Sequence, residues 1–301
     1  MSAQDTSSST LCPVTVLVLG VLGEGLVDPD RAVVRADDSG VDRGDGCFEG
    51  CRIQTDAAGR SSVDKLPAHL ARMRRSAATL DIPFDEAAWR SLIDTALDAC
   101  RTPGEYGLKL VLTRGPADGV PTGLLTVRPL AESVWQQRRD GLRVITLDRG
   151  FTGSAFTEAP WLLGGVKTLS YAVNMAAIRE AERRGADDVI FVSTDGVVLE
   201  APTASVVWAT DRTLRTTPVG PTGILPGTTQ QLLFDRAAEA GWTTETGTAR
   251  VDDLHAADTV WLISSVRGPV DVVELDGKGR SRDLPVLAEI ARLAGFPPAA
   301  R

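Results

Sequence analysis

An α+β (mixed α/β) fold in two lobes follows from three features of the sequence. Short runs rich in Val and Leu alternate with segments whose apolar residues recur every three or four positions. Several of the runs are separated by tight-turn signals rather than by helices, which argues for hairpins and against a doubly wound parallel sheet. At 301 residues the chain can hold one large or two modest domains, at roughly 100–200 residues each.

The elements read in order. Residues 1–12 are polar and Ser-rich and are expected to be a disordered leader. Val14–Leu22 reads as a strand, being too short to cross a bilayer, which takes about 20 residues. Arg31–Arg35 and Cys47–Gln54 are further strands. Leu66–Leu80, with Leu70, Met73, Ala77 and Leu80 in register, and Asp85–Cys100, opened by acids, are helices. Leu108–Thr113 and Gly123–Arg128 form a β pair. These make a smaller N-terminal α/β lobe over residues 13–130, followed by a linker at 131–140. The larger C-terminal lobe, 141–301, begins with the strand Leu142–Leu147. A long Ala-rich helix, Leu169–Gly185, follows. Asp188–Ser193 and Val197–Glu200 pair across the Asp195-Gly196 turn. Thr229–Ala240 is a helix, Thr259–Ser265 a strand and Leu284–Leu293 a terminal helix.

Composition excludes several functions. The net charge of −8 and pI near 5.0 give no reason to seek phosphate backbones or anionic membranes. The four cysteines form no C-x-x-C pair, so a reducing cytoplasm is expected. With two histidines and no H-E-x-x-H, no metal site is expected.

The chemistry is sought among rare residues. Only four of 32 basic residues are Lys. Lys65 and Lys278 sit in turns and read as exposed, and Lys109 lies on the polar face of a strand. Lys167 follows the apolar run 161–166 and is read as opening a helix. There it is either a snorkelling lysine or a desolvated amine of lowered pKa, able to attack a carbonyl and hold a Schiff base. Glu200 is either a polar strand end or a buried acid in need of a cation, for which a protonated pyridine nitrogen would serve. Gly227-Thr228-Thr229 opens a helix. Thr228 and Gln231 have capping-box spacing, and free amides at that start would also suit an anion. Ser264-Ser265 ends a strand within reach of such an anion or merely marks the end. His69 and Arg72 are one turn apart on one helix face. Arg72 could fork onto a phosphate, while His69 alone reads as structural.

Taken together, Asp42-Arg43-Gly44-Asp45-Gly46-Cys47-Phe48-Glu49, His69-x-x-Arg72, Lys167-Thr168-Leu169-Ser170, Asp195-Gly196-x-x-x-Glu200 and Leu225-Pro226-Gly227-Thr228-Thr229 resemble the class IV (fold type IV) aminotransferase family of pyridoxal-phosphate (PLP) enzymes. The matching segments span about residues 37–270. The resemblance implies a cofactor held covalently by Lys167, with Glu200 on its pyridine nitrogen. It implies phosphate contacts from Arg72, Gly227, Thr228, Thr229 and Ser264 or Ser265. Tyr171 is then either a hydrogen-bond partner of the cofactor or a packed helix residue. Phe48, Lys109, Arg114 and Arg267 fall on the substrate side. The family also implies a homodimer and a small-molecule amine substrate. Ser205, Val207 and Gln230 depart from the common family residues, which are Asn, an aromatic and a basic residue.

Three activities within the family compete. Thr113-Arg114-Gly115 matches the D-amino-acid aminotransferases, but residues 116–121 lack their Arg-x-His pair. Phe48-Glu49-Gly50 is shared with branched-chain aminotransferases, yet Ser264-Ser265-Val266-Arg267-Gly268-Pro269-Val270 lacks their Gly-Thr-Ala segment. That stretch, with Gly44-Asp45-Gly46-Cys47-Phe48 and the compact length, is most similar to actinobacterial 4-amino-4-deoxychorismate lyases. The expected activity is therefore conversion of that substrate to 4-aminobenzoate and pyruvate, with amino transfer to a 2-keto acid as the alternative.

Overall fold

The computed structural model describes residues 16–117 and 119–296. The expected leader and the start of the first strand lie outside the described residues. The first lobe contains β1 (Val18–Val21), β2 (Gly25–Val27), α1 (Ser39–Asp42), β3 (Gly46–Thr55), β4 (Ser61–Val63), α2 (Leu66–Thr79), α3 (Glu86–Ala99), β5 (Gly104–Thr113) and β6 (Gly123–Pro129). Its six strands form one antiparallel sheet, ordered β2-β1-β6-β5-β3-β4. The helices cover one face because their apolar residues recur at helical spacing. Leu70, Met73 and Ala77 of α2 and Trp89, Leu92, Ile93 and Ala96 of α3 pack on Cys47, Cys51, Ile53, Leu108, Leu110 and Leu125.

Arg31–Arg35, expected as a strand, is irregular. A turn closes it (Arg31 N–H to Asp28 O), and its end charges bind Glu24 and Asp37 locally. Lys65 is half-buried rather than exposed, with its amine 5.5 Å from the Phe296 ring centroid, and burial lowers its pKa.

The rest of the chain forms α4 (Glu132–Asp140), β7 (Leu142–Asp148), α5 (Ala172–Arg183), β8 (Asp188–Val192), β9 (Ser205–Thr210), β10 (Thr213–Thr216), α6 (Thr228–Ala237), β11 (Thr243–Thr246), α7 (Val251–Ala256), β12 (Thr259–Ser264), β13 (Gly268–Leu275), β14 (Lys278–Gly279) and α8 (Leu284–Leu293). The second sheet runs β11-β10-β9-β12-β13-β7-β8, with β14 on β13. The two-lobed α+β architecture is thus the one the chain adopts. The segment expected as a linker carries α4.

Two local expectations change. Helix α5 begins at Ala172, so Lys167 lies before it in an extended stretch. The backbone there is committed elsewhere: Phe48 N–H donates to Lys167 O (3.0 Å), Leu169 N–H donates to Gly46 O (2.8 Å), and Thr168 bridges Cys47. Val197–Glu200 folds back on β8 through Leu199 N–H to Phe191 O and Phe191 N–H to Glu200 O. It makes one bridge, Val192 with Val198, and the ladder stops there because the Phe191 amide passes over Leu199 O to reach Glu200 O.

The lobes are joined by charge as well as backbone. Arg52, fully buried, donates to Asp64, Glu105 and Gly295 O and lies 3.7 Å from the Phe296 ring centroid. Arg138 shares Glu105 and donates to the Val266 and Arg267 carbonyls. Removing one member of a buried ionic network strands its partners. Arg52→Met should therefore lower the unfolding free energy by about 3–5 kcal/mol in urea titration; a loss within experimental error would show that the Arg52 ion pairs add nothing net to stability.

Candidate active site

A cleft of about 700 Å³ opens between the lobes. Phe48 and Lys109 come from the first sheet, and Lys167 and Tyr171 from the segment leading into α5. Glu200 lies behind the Asp195-Gly196 turn, Gly227, Thr228 and Thr229 start α6, and Ser264, Ser265 and Arg267 follow from β12.

Lys167 is the focus. Its Nζ lies 4.4 Å from the Phe48 ring centroid and 3.2 Å from Tyr171 Oη. Tyr171 in turn meets Phe48 edge-on at 5.0 Å between centroids. Burial among these rings, with repulsion from the Arg72 guanidinium, brings the amine down to about 8. The same burial pushes the Tyr171 phenol up to about 12, so Tyr171 stays protonated and can donate. Lys167 is therefore a desolvated amine and not a snorkelling one. Its backbone N–H is taken by Ser76 Oγ at 3.2 Å.

Glu200 is the opposite case among the acids. Burial raises it to about 7, although the Leu225 amide donates to Oε2 at 3.1 Å. An acid so placed would gain from a cation in the cleft, and a protonated ring nitrogen is of the required kind.

The third corner could take a phosphate. Gly227 is the N-cap of α6, and a Cβ there would collide with Ser205 Oγ. The expected capping box does not form. Thr228 Oγ1 lies 2.9 Å from Ser265 Oγ and 3.3 Å from His69 Nε2 instead, while Gln231 donates to Asp235. Thr229 Oγ1 lies 3.1 Å from the same serine. The first amides of α6 are thus left without a side-chain cap beside three hydroxyls, an arrangement suited to an anion. Arg72 closes this corner, donating from Nη1 to Pro226 O at 2.8 Å. Glu49 holds it side-on, accepting from Nε and Nη2 at 2.7 Å each, and also contacts His69 Nδ1 at 2.7 Å. Burial alone would raise Glu49, but the Arg72 and His69 bonds outweigh it and hold it at about 2. Cys51 lies within 4.8 Å of Glu49 and His69, but Glu49 is already occupied and burial pushes the thiol far up. Glu49 and His69 thus belong to the hydrogen-bonded network around Arg72, with Cys51 a buried thiol beside them, rather than to a metal cage. Desolvated amine, buried acid and anion cup together fit a phosphorylated pyridine aldehyde.

Arg114 is the one expected site residue that lies away from the cleft. It binds Asp45 and the carbonyls of Leu80 and Asp81. Sequence reasoning missed four participants. Glu49 had a signal, an acid within an otherwise buried strand. Ser76 lay in the family-like pair Ser76-Ala77 but was given no role, whereas Arg149, which lines the cleft with its guanidinium 4.9 Å from the Phe191 ring centroid, and Gln137 had no local signature.

Comparison with known proteins agrees with this geometry. Residues 46–275 match the family model of class IV amino-transferases. A bifunctional aminodeoxychorismate lyase / D-amino acid transaminase of Mycobacterium tuberculosis is 40% identical over 87% of this chain and 92% of its own length. A PLP-bound aminotransferase structure from the same organism superposes with a TM-score of 0.87 at 40% identity, covering 92% of this chain and 97% of that one. A fold IV transaminase from Curtobacterium pusillum gives 0.84 at 40% identity, covering 92% and 98%. With three quarters of its length inside the family pattern, the chain belongs to the class IV aminotransferases, a family of PLP-dependent enzymes.

Proposed function

We propose that this PLP-dependent enzyme cleaves 4-amino-4-deoxychorismate to 4-aminobenzoate and pyruvate. The observation that carries the choice of substrate is the pair of cations, Lys109 and Arg267, that share the cleft with Lys167. That substrate bears two carboxylates and one amine. Relatives support the reading, since the 40% identical Mycobacterium protein is named for this lyase activity.

Bound here, PLP would supply an aldehyde for the substrate amine and a ring that accepts an electron pair. Lys167 is the residue that would hold it covalently, and Glu200 would keep its ring nitrogen protonated. Arg72, the amides after Gly227, Thr228, Thr229 and Ser264 or Ser265 would hold its phosphate. Tyr171 would hydrogen-bond its phenolic oxygen. The chain's own residues then do the following. The Lys167 amine, neutral in part near pH 8, takes the proton from the amine-bearing ring carbon. The bond from ring carbon to enolpyruvyl oxygen breaks, and the ring becomes aromatic. Lys167, now an ammonium, returns the proton to the methylene carbon of the leaving group, giving the methyl of pyruvate. Phe48 forms the wall behind the amine.

Amino transfer to a 2-keto acid is the second reading. It is favoured by the transaminase named in the same Mycobacterium relative and by the Curtobacterium structure. A cytoplasmic homodimer belongs to the same proposal. Trp161, Leu162, Val173 and Met175 are exposed, and Leu162 and Met175 also line the cleft, apolar surface that a second copy could cover. Among the described residues no helix is long and apolar enough to cross a membrane.

Three measurements test these assignments. Borohydride reduction of the holoenzyme should leave the cofactor on the peptide containing Lys167 and should leave none in Lys167→Ala; an unmodified native peptide would end the account. Capture of PLP by the apoenzyme needs the free amine, so its rate should rise with pH and reach half its plateau near 8. A half-point at the ordinary lysine value of about 10.4 would mean that Phe48 and Tyr171 do not desolvate the amine. Finally, 4-amino-4-deoxychorismate supplied without a keto acid should yield 4-aminobenzoate over many turnovers. Arrest after one turnover, relieved by a 2-keto acid, would assign the enzyme to amino transfer.

A further inference from the structure

The three basic side chains expected on the substrate side differ in what they have left to offer. Arg114 is committed outside the cleft to Asp45. Lys109 stands at the rim, 4.9 Å from the Phe48 ring centroid. Arg267 is buried and lines the cleft. Its Nη1 donates to Asp188 Oδ2 at 2.9 Å and to Gln137 Oε1 at 3.2 Å. Its Nε and Nη2 are buried with no hydrogen-bond partner among the described residues. Those two nitrogens form one edge of the guanidinium, and their parallel N–H groups match both oxygens of a single carboxylate. Leaving such donors unmet inside a protein is costly. The turn that carries Arg267 is itself fixed, because Arg138 donates to the Val266 and Arg267 carbonyls.

We infer that the Nε/Nη2 edge of Arg267 is a carboxylate-binding subsite of the cleft, and that the amine substrate carries a carboxylate that docks there. This rests on the reading above, which places the reacting amine in this cleft beside Lys109 and Arg267, and deepens it by assigning one edge of one side chain to one carboxylate. Asp188 and Gln137 hold the guanidinium from the other side, so it is oriented before any ligand arrives and little ordering remains to be done on binding. The edge is shielded from water, so a bound carboxylate interacts more strongly there than at the surface. Lys109 then stands free for a second carboxylate, which selects dicarboxylates over monocarboxylates. The same donors would also suit a phosphate, and Ser265 of the phosphate corner is only two residues away.

Benzoate and its neutral counterpart benzamide, titrated against the holoenzyme, separate these possibilities. Arg267→Met is paired with Asp188→Asn so that no lone carboxylate is left buried. Benzoate should bind the double variant ~10–100-fold more weakly than the native enzyme, benzamide should bind both alike, and Arg267→Lys should fall between. No measurable benzoate binding to the native enzyme, an unchanged benzoate affinity in the double variant, or an equal loss for benzamide would each overturn the inference. So would a double variant that loses affinity for PLP relative to unphosphorylated pyridoxal while keeping benzoate, since the edge would then serve the phosphate. The borohydride adduct at Lys167, measured on the same samples, reports separately on the earlier reading.

Discussion

The cleft depends on a backbone seam between residues 46–48 of β3 and residues 167–169 ahead of α5. Two amide–carbonyl bonds cross it, from Phe48 to Lys167 and from Leu169 to Gly46. The seam needs close approach, and Gly46 permits it. A Cβ there would lie 2.7 Å from Leu169 Cδ1 across the seam and 2.6 Å from the Leu112 carbonyl oxygen of β5. Because Phe48 and Lys167 face each other across this seam, the ring that desolvates the amine is supplied by the same contact that fixes its backbone. Position and reactivity of Lys167 thus have one origin.

Two carboxylates near that amine are treated in opposite ways. Glu49 has three strong donors and stays ionised far below neutrality. Glu200 has one amide and stands near 7. The first is a fixed negative charge that braces Arg72. The second can adjust its proton to whatever occupies the cleft. Environments that drive like groups apart are how one site divides structural and chemical work.

Much of this was legible in the sequence, for a physical reason. Periodicity reports burial, so the faces of α2 and α3 could be read from Leu70, Met73, Trp89 and Ile93. Lys167, Glu200 and the start of α6 stood out because each sits at an apolar or glycine-marked junction. Long-range pairing was not legible. Nothing local says that Lys167 lies in an extended segment, since Gly46, over a hundred residues away, takes the Leu169 amide. The β9–β10 hairpin escaped because its turn places Asp211, not glycine, at positive φ. The capping box failed because Gly227, not Thr228, is the N-cap, and the Thr228 hydroxyl turns to Ser265 and His69. Arg114 kept the family's surrounding sequence yet was claimed by Asp45, a neighbour that spacing alone does not reveal.

The seam has a consequence for how such enzymes diversify. Gene shuffling among relatives is easiest where parental modules meet through solvent or loosely packed side chains. Here the halves interlock through Gly46 and Leu169, Phe48 and Lys167, and Arg72 with Pro226. A crossover near α4 would join a front half and a back half that had never been selected together. Hybrids should therefore succeed mainly between parents that agree at these facing positions, so specificity has more room to drift in the rim loops than by trading whole halves.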